Sequence, residues 1–472
     1  MRKRNLLIFF LILSGILMNQ SAAYALSLAQ GTIDSFIQSE MKKYNLPGIG
    51  VAMIDNGRLE YAKGFGYADS EGTVVTPQTG FIIGSLSKLI TSSAIYILSE
   101  QGKLDIDDPI GKYLPWLPEQ PKSQVTVRHL LNFTSGYDRD MELVVILSPF
   151  EDIKKGKVNV PWNEEKLNRS YYSNFNYMLL GQIIEAASGM TYEQFVQTYL
   201  FDPLEMKRTY ADVSKAPDGF LSEGHASWFG YNKSMAQPYE KEWIPAGYLV
   251  STLEDWSHFI LMLLGDGTYN GVQVLNLLSV MHVLGESNSL FEFGGATYVF
   301  KTHLMMNRVF DRAVIVFTNA RDNLFVGFYP DAVEPADRIG RDLYNSFDEQ
   351  TVKAVKARPY PRLFLYTIVD SICLLLIACT IFSLIRWRRW GIRQGGWLRR
   401  STSAAILLFQ IGFPLYYSYE TLWIYQIEMY SMPGVYPLIL SLSGIWLVIG
   451  VIKVALMAIK FRQTFPVKGT NV

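Results

Sequence analysis

The sequence predicts an α+β domain that is exported and then followed by three transmembrane α-helices, and three observations lead to that fold class. Hydrophobic residues make up 49% of the 472 positions and charged residues only 18%. That is below the roughly one quarter of a typical soluble domain, so some stretches must be nearly uncharged. An N-terminal basic and apolar stretch and three long apolar runs beyond residue 362 supply them. Between these ends, residues 26–362 carry strand-like segments near both termini and helical periodicity in the middle, the pattern of an α+β domain with an all-helical region.

Residues 1–25 begin with Arg2, Lys3 and Arg4, run apolar from Leu6 to Met18 and end on Ala23-Tyr24-Ala25. Basic, apolar and small-residue regions in that order are those of a secretory signal peptide. The apolar run is short for a crossing, so cleavage is expected rather than a retained anchor helix. Either outcome exports the next domain.

Within 26–362, Gly48 to Ile54 and Leu59 to Tyr67 read as strands around the turn Asp55-Asn56-Gly57, and Ala313 to Phe317 reads as another. Ser85 to Glu100 places Leu86, Leu89, Ile90, Ala94, Ile97 and Leu98 on one helical face. Asp105, Asp107 and Asp108 before Pro109 read as turn and cap residues, because the glycine and distal glutamate of a calcium loop are absent.

Beyond the domain, residues 363–385, 403–425 and 435–459 are each long enough to cross a hydrocarbon core about 30 Å thick. The loop 386–402 carries Arg386, Arg388, Arg389, Arg393, Arg399 and Arg400, whereas the connector from Gln426 to Gly434 has no Lys or Arg. The positive-inside rule therefore puts that loop and the tail 460–472 in the cytoplasm, giving a multi-pass cell-membrane protein with an extracytoplasmic domain. Gln410, Pro414 and Glu420 interrupt the middle span, and Trp387, Trp390 and Trp397 fit the lipid headgroup region of the bilayer.

Other function classes fall away. Lys plus Arg is 43 and Asp plus Glu is 43, which leaves no overall positive field to attract nucleic acid. Both cysteines, Cys373 and Cys379, lie in the first span, so the exported domain has no disulfide. The histidines, His129, His225, His258, His282 and His303, show no paired ligand spacing; neither a metal nor a cofactor is expected.

The chemistry gathers in two segments. Ser85-Leu86-Ser87-Lys88 sits at the start of the predicted helix, where residues three apart share a face and Lys88 can reach the Ser85 hydroxyl. A serine hydroxyl is a weak nucleophile that needs a neighbouring base, and a helix N-terminus adds N–H groups for an oxyanion. Spacing alone does not select the site, since Ser39-Glu40-Met41-Lys42 repeats it on a face expected to be solvated. The second segment is Tyr172-Ser173-Asn174. A neighbouring cation favours a phenolate, which can take the serine proton, and Asn174 can hold the lysine or a substrate carbonyl. Taken alone, Tyr171 to Tyr177 reads as an aromatic packing cluster.

Together these segments resemble the serine β-lactamase and penicillin-binding protein family, in its class C β-lactamase and esterase branch. Pro47 to Val51, Phe81 to Lys88, Val125 to Leu131 with Thr134-Ser135-Gly136, Tyr172 to Leu180, Phe201 to Thr209, Ala246-Gly247 with Ser251, Thr252 and Asp255, and Val314 to Asn319 look like family landmarks in family order, from about Ile33 to Leu343. The resemblance implies a β-lactamase/transpeptidase-like fold, an antiparallel sheet flanked by helices plus an all-helical region. It implies Ser85 as acylated nucleophile, Lys88 as its activating partner, Tyr172 as general base and Asn174 as a substrate contact. It also makes His129 a structural, hydrogen-bonded core histidine.

The third family motif departs. Where relatives carry Lys-Thr-Gly or His-x-Gly, this chain reads Phe293-Gly294-Gly295-Ala296-Thr297, followed by Tyr298-Val299-Phe300 in place of Pro-Gly-Phe; it also looks shortened between Leu278 and Phe293, where relatives have another strand. By resemblance, Gly294, Gly295 and Ala296 line the substrate, and the Ser85 and Ala296 amides form the oxyanion hole. A backbone donor survives side-chain replacement, but a phenylalanine cannot pair with a substrate carboxylate, at a cost of about 1.5–3 kcal/mol. An uncharged ester or amide is therefore expected ahead of a β-lactam or D-Ala-D-Ala peptide.

Three functions stay open on sequence: a membrane-anchored serine hydrolase acting on a small-molecule or peptide substrate such as a peptidoglycan-derived peptide, β-lactam or small ester; a catalytically impaired relative that binds cell-wall material or a partner; and a membrane role in which the spans bind another membrane protein. For the last, Asp370 and Lys453 are the charges within the outer two spans, and both can snorkel to an interface.

Overall fold

The computed structural model describes residues 31–138, 148–228, 231–237, 241–285, 290–321, 333–347 and 435–464, with isolated positions between 141 and 145 and between 367 and 407. The expected signal peptide, Arg-rich loop and both cysteines lie outside the described residues, as do most positions of the first two expected spans.

One compact unit comprises Met1–His225, Ser234–Arg321 and Asp331–Arg358. Its framework is a five-stranded antiparallel sheet of β1 (Gly48–Asp55), β2 (Arg58–Gly66), β3 (Leu290–Ala296), β4 (Lys301–Asn307) and β5 (Arg312–Thr318), in the order β2-β1-β5-β4-β3. The β1–β2 hairpin forms where the sequence predicts it, because Asn56 and Gly57 adopt the φ values of +49° and +68° that a tight two-residue turn requires. Among the described residues strand β3 is an edge, pairing with β4 alone, with Ala296 opposite Lys301, Gly295 opposite Thr302 and Phe293 opposite Leu304.

Helices cover both faces of the sheet. On one, α1 (31–44) and α5 (Pro335–Asn345) bury Ile37, Ala336, Ile339 and Leu343 against Ile49, Val51, Val314 and Val316. Ser39 and Lys42 of the second S-x-x-K lie exposed on α1, on the solvated face the sequence suggests. On the other face, α4 (Leu253–Leu264) packs so close to β1 that a methyl group at Gly50 would stand 2.5 Å from Leu253 Cδ1. A side chain there would oblige Leu253 to shift.

The helical region is built on α2 (Ser87–Glu100) and α3 (Asn174–Ser188). Every residue of α2 from Ser87 to Leu98 is buried, so the helix is a central rod rather than an amphipathic surface helix. Its buried hydroxyls are satisfied: Thr91 donates to the Pro245 carbonyl at 2.7 Å, and Ser93 donates to that of Leu89 at 2.8 Å.

The other unit is Ala226–Lys233, Asp322–Pro330 and Pro359–Val472. It contains α6 (Val435–Thr464), a helix over the third expected span. Among the described residues no helix is long and apolar enough to cross a membrane. The described residues also hold no cluster of three or more metal-ligating side chains.

Candidate active site

Ser85 lies in the single 3₁₀ turn Gly84–Leu86 that leads into α2. The turn needs glycine twice over: Gly84 has φ +56°, and any side chain there would overlap the Ala296 amide nitrogen. The chain is held at this bend by three bonds. Ile83 N–H donates to Leu249 O at 3.0 Å, Ser87 Oγ donates to Gly84 O at 2.8 Å, and Thr302 Oγ1 donates to Ile83 O at 2.8 Å.

The three expected reactive groups meet. Ser85 Oγ and Tyr172 Oη are 2.7 Å apart, and Lys88 Nζ donates to Ser85 Oγ at 3.2 Å. Asn174, the first residue of α3, accepts from Lys88 Nζ at 2.6 Å and from Tyr172 Oη at 3.3 Å through Oδ1. The lysine is 1% exposed. A buried ammonium is tolerated only where its protons are engaged, and the third acceptor is the Ala246 carbonyl at 2.5 Å. Two aromatic rings complete its surroundings, with centroids of Tyr172 at 5.0 Å and Tyr177 at 5.4 Å from Nζ.

Two partners were not assigned from sequence. Ala246 falls in a landmark segment, but nothing in its side chain announces that its carbonyl holds Lys88. Phe133 stacks on Tyr172 with centroids 4.8 Å apart and an interplanar angle of 25°, and it does so from φ +59°. A phenylalanine in left-handed backbone is strained, and such strain persists where the surrounding fold dictates it. His129 differs from expectation: it is half-buried rather than in the core, accepting the Thr126 N–H on Nδ1 at 3.0 Å and facing Asn168 Oδ1 at 3.0 Å through Nε2, as a helix-cap residue. Asp107 and Asp108 pair with Arg128 and Lys112, as turn residues do.

Strand β3 brings Gly295 and Ala296 against the serine turn. A methyl group on Gly295 would overlap the Ile83 carbonyl and lie 3.0 Å from Ser85 N, so this glycine is what allows the strand to approach. Because strand side chains alternate, Phe293 shares the Ser85-facing side of β3 with Gly295. Its ring lies 6.0 Å from that of Phe291. Gly294 points to the opposite side, where a methyl group would stand 3.1 Å from Lys301 Nζ. Of the residues expected to line the substrate, Gly295 and Ala296 therefore adjoin the serine and Gly294 does not.

Comparison with known proteins agrees with this architecture. The family described as Beta-lactamase matches residues 33–329. "Protein flp" of Staphylococcus aureus (strain MW2) is 24% identical over 404 residues, which span 80% of this chain and 79% of that protein. The teichoic acid D-alanine hydrolase of Staphylococcus aureus is 30% identical over 198 residues, 41% of this chain and 47% of that one. Among solved structures, the octameric penicillin-binding protein homologue from Pyrococcus abyssi aligns with a TM-score of 0.55 and 23% identity, covering 72% of this chain and 81% of that one. The D-alanine carboxypeptidase AmpC from Burkholderia cenocepacia aligns with a TM-score of 0.51 and 21% identity over 62% of this chain and 95% of that one. These structures share the fold, and the family match spans well over half of the sequence. On that match, and on a sheet and helical region arranged as the landmarks imply, the chain belongs to the β-lactamase family.

Proposed function

We propose that this protein is a serine hydrolase that forms an acyl-enzyme on Ser85 with a cell-wall-related ester or amide that lacks a free carboxylate. The observation that carries the reading is one hydroxyl, Ser85 Oγ, within hydrogen-bond reach of both Tyr172 Oη and Lys88 Nζ. In the first step, with Tyr172 acting as its phenolate, the Ser85 oxygen bonds to the substrate carbonyl carbon while its proton passes to Tyr172 Oη. The Lys88 ammonium stabilises the negative charge that grows on Oγ, and the Ser85 and Ala296 amides receive the carbonyl oxygen as it becomes an oxyanion. The carbonyl-to-leaving-group bond then breaks as the leaving group takes the proton, and water releases the acyl group by the reverse sequence.

That the substrate lacks a free carboxylate follows from Phe293, which sets a ring where relatives carry a cation, and the cell-wall link draws on a relative named teichoic acid D-alanine hydrolase. The proposal includes an extracytoplasmic setting, supported by the signal-like residues 1–25, with the apolar runs near 363–385, 403–425 and 435–459 as anchors in the lipid bilayer. Phe293 also favours a second reading, a relative that binds cell-wall material without turnover. Mass spectrometry of the full chain after a fluorophosphonate or labelled penicillin separates the two, with Ser85→Ala as control. An adduct on Ser85 is expected with the fluorophosphonate; a folded chain that reacts with neither probe defeats the hydrolase reading.

A further inference from the structure

The strand that brings Ala296 to the serine is poorly suited to hold still. Among the described residues it is an edge strand, bonded on one side only, and two consecutive glycines precede Ala296. Glycine loses more conformational freedom on ordering than any other residue and weakens a strand interior. Something else must fix it.

On the side of the sheet away from Ser85, three cations, Arg341, Lys301 and Arg321, meet this strand along its length through ion pairs. At its start Arg341 Nε donates to Glu292 Oε1 at 2.6 Å. In the middle Lys301 Nζ, 3.1 Å from where a Gly294 methyl would stand, pairs with Asp337 Oδ1 at 3.0 Å and Glu334 Oε1 at 3.6 Å. Just past its end Arg321 donates to the Thr297 carbonyl at 2.9 Å and pairs with Glu334 at 3.3 Å. Lys301 is 8% exposed, so its charge is largely shielded from water, and burying it is tolerable because two carboxylates receive it. Asp337 is shared with His303 at 3.1 Å, whose ring occupies the space that Gly340 leaves on α5. The carboxylates that hold Lys301 sit at the start of α5, itself packed on the sheet core through Ile339 and Leu343.

We propose that Lys301 is a positioning residue for the oxyanion hole. Its ammonium fills the gap at Gly294, ties the glycine pair to α5 through Asp337 and Glu334, and with Arg321 and Arg341 keeps the Ala296 amide against the Ser85 turn. The sequence thus has a cation at this motif after all, on the next strand and the opposite side, where it holds the backbone instead of the substrate.

The test uses the full chain carrying Lys301→Met. Amide hydrogen exchange is followed by mass spectrometry in peptides from 290–300 and, as a reference, from the 48–66 hairpin. The expected result is exchange about tenfold faster in 290–300 with the hairpin unchanged. Its kinetic arm rests on the hydrolase reading: with p-nitrophenyl acetate, kcat falls about tenfold while KM stays within about twofold, because the lost interaction exists only in the transition state. Should Lys301→Met fail to fold, Asp337→Asn removes the carboxylate 3.0 Å from Lys301 Nζ that ties it to α5 and carries the same expectations. Unchanged exchange in 290–300, exchange raised equally in the hairpin, or wild-type kcat overturns the proposal. A wild-type chain without esterase activity counts against the hydrolase reading, and exchange alone then decides the role of Lys301.

Discussion

Tyr172 Oη lies 2.7 Å from Ser85 Oγ, although 87 positions separate the two residues in the chain. The phenol owes its place to neighbours on both sides: Phe133 stacks on its ring, and Asn174 accepts from its hydroxyl. Removing that hydroxyl while keeping the ring tests its role cleanly. Tyr172→Phe is expected to lower the rate of Ser85 labelling by a fluorophosphonate about 10²–10⁴-fold, the usual contribution of a general base, with little change in melting temperature.

Lys88 behaves differently because it is buried. Lys88→Met takes the lysine donor away from Ser85 Oγ, Asn174 Oδ1 and the buried Ala246 carbonyl. Loss of each such partner costs roughly 1–3 kcal/mol, so this variant loses both labelling and thermal stability, read in one preparation by mass spectrometry and calorimetry.

Phe293→Lys restores a cation to the Ser85-facing side of β3. A charge-assisted contact of about 1.5–3 kcal/mol corresponds to a gain of about tenfold or more in acylation of Ser85 by labelled penicillin. A variant that labels no faster than wild type would show that the ring is not what excludes the carboxylate.

Gly295→Ala places a methyl group onto the Ile83 carbonyl and the Thr302 hydroxyl, forcing strand and serine turn apart. Loss of an oxyanion donor costs about 10²–10³ in kcat. Hydrolysis of p-nitrophenyl acetate is therefore expected to fall by that factor while the hairpin 48–66 keeps its hydrogen-exchange protection.

Asp337 gives the acid limb of stability. Burial opposes its charge, but the hydrogen bond from His303 and the charge of Lys301 outweigh that and hold its carboxyl below the ordinary value of 3.8. A carboxyl lowered in the folded state contributes stability above 3.8 that is lost as pH falls through its folded value. Asp337→Asn therefore flattens the loss of stability below about pH 4, by up to about 1.4 kcal/mol per pH unit, in denaturant titrations across that range.

The legible parts of this fold were those written locally. Asn56-Gly57 dictates a turn through backbone preference alone, and Ser85 and Lys88 share a helix face through spacing alone. Tyr172 and Asn174 were legible as candidates because their side chains carry chemistry. What escaped was written in backbone atoms or across the sheet. Ala246 acts through a carbonyl, Phe133 through an unusual φ angle, and Lys301 through register with Ala296 and partners on a helix more than thirty residues later. The missing cation of the third motif was evident in the sequence; that the strand carries one behind it was not, because only pairing of β3 with β4 brings Lys301 beside Gly294.

The interior setting of Lys88 bears on how such a chain can change over generations. One ammonium joins the serine turn, the start of α3 and the segment around Ala246, so discarding it would loosen three parts of the molecule at once. A descendant that abandoned turnover would still be selected to retain this lysine for the sake of remaining folded. Ser85 and Tyr172, both in part open to solvent, are under no such obligation, so their presence bears more directly than that of Lys88 on the proposed reaction.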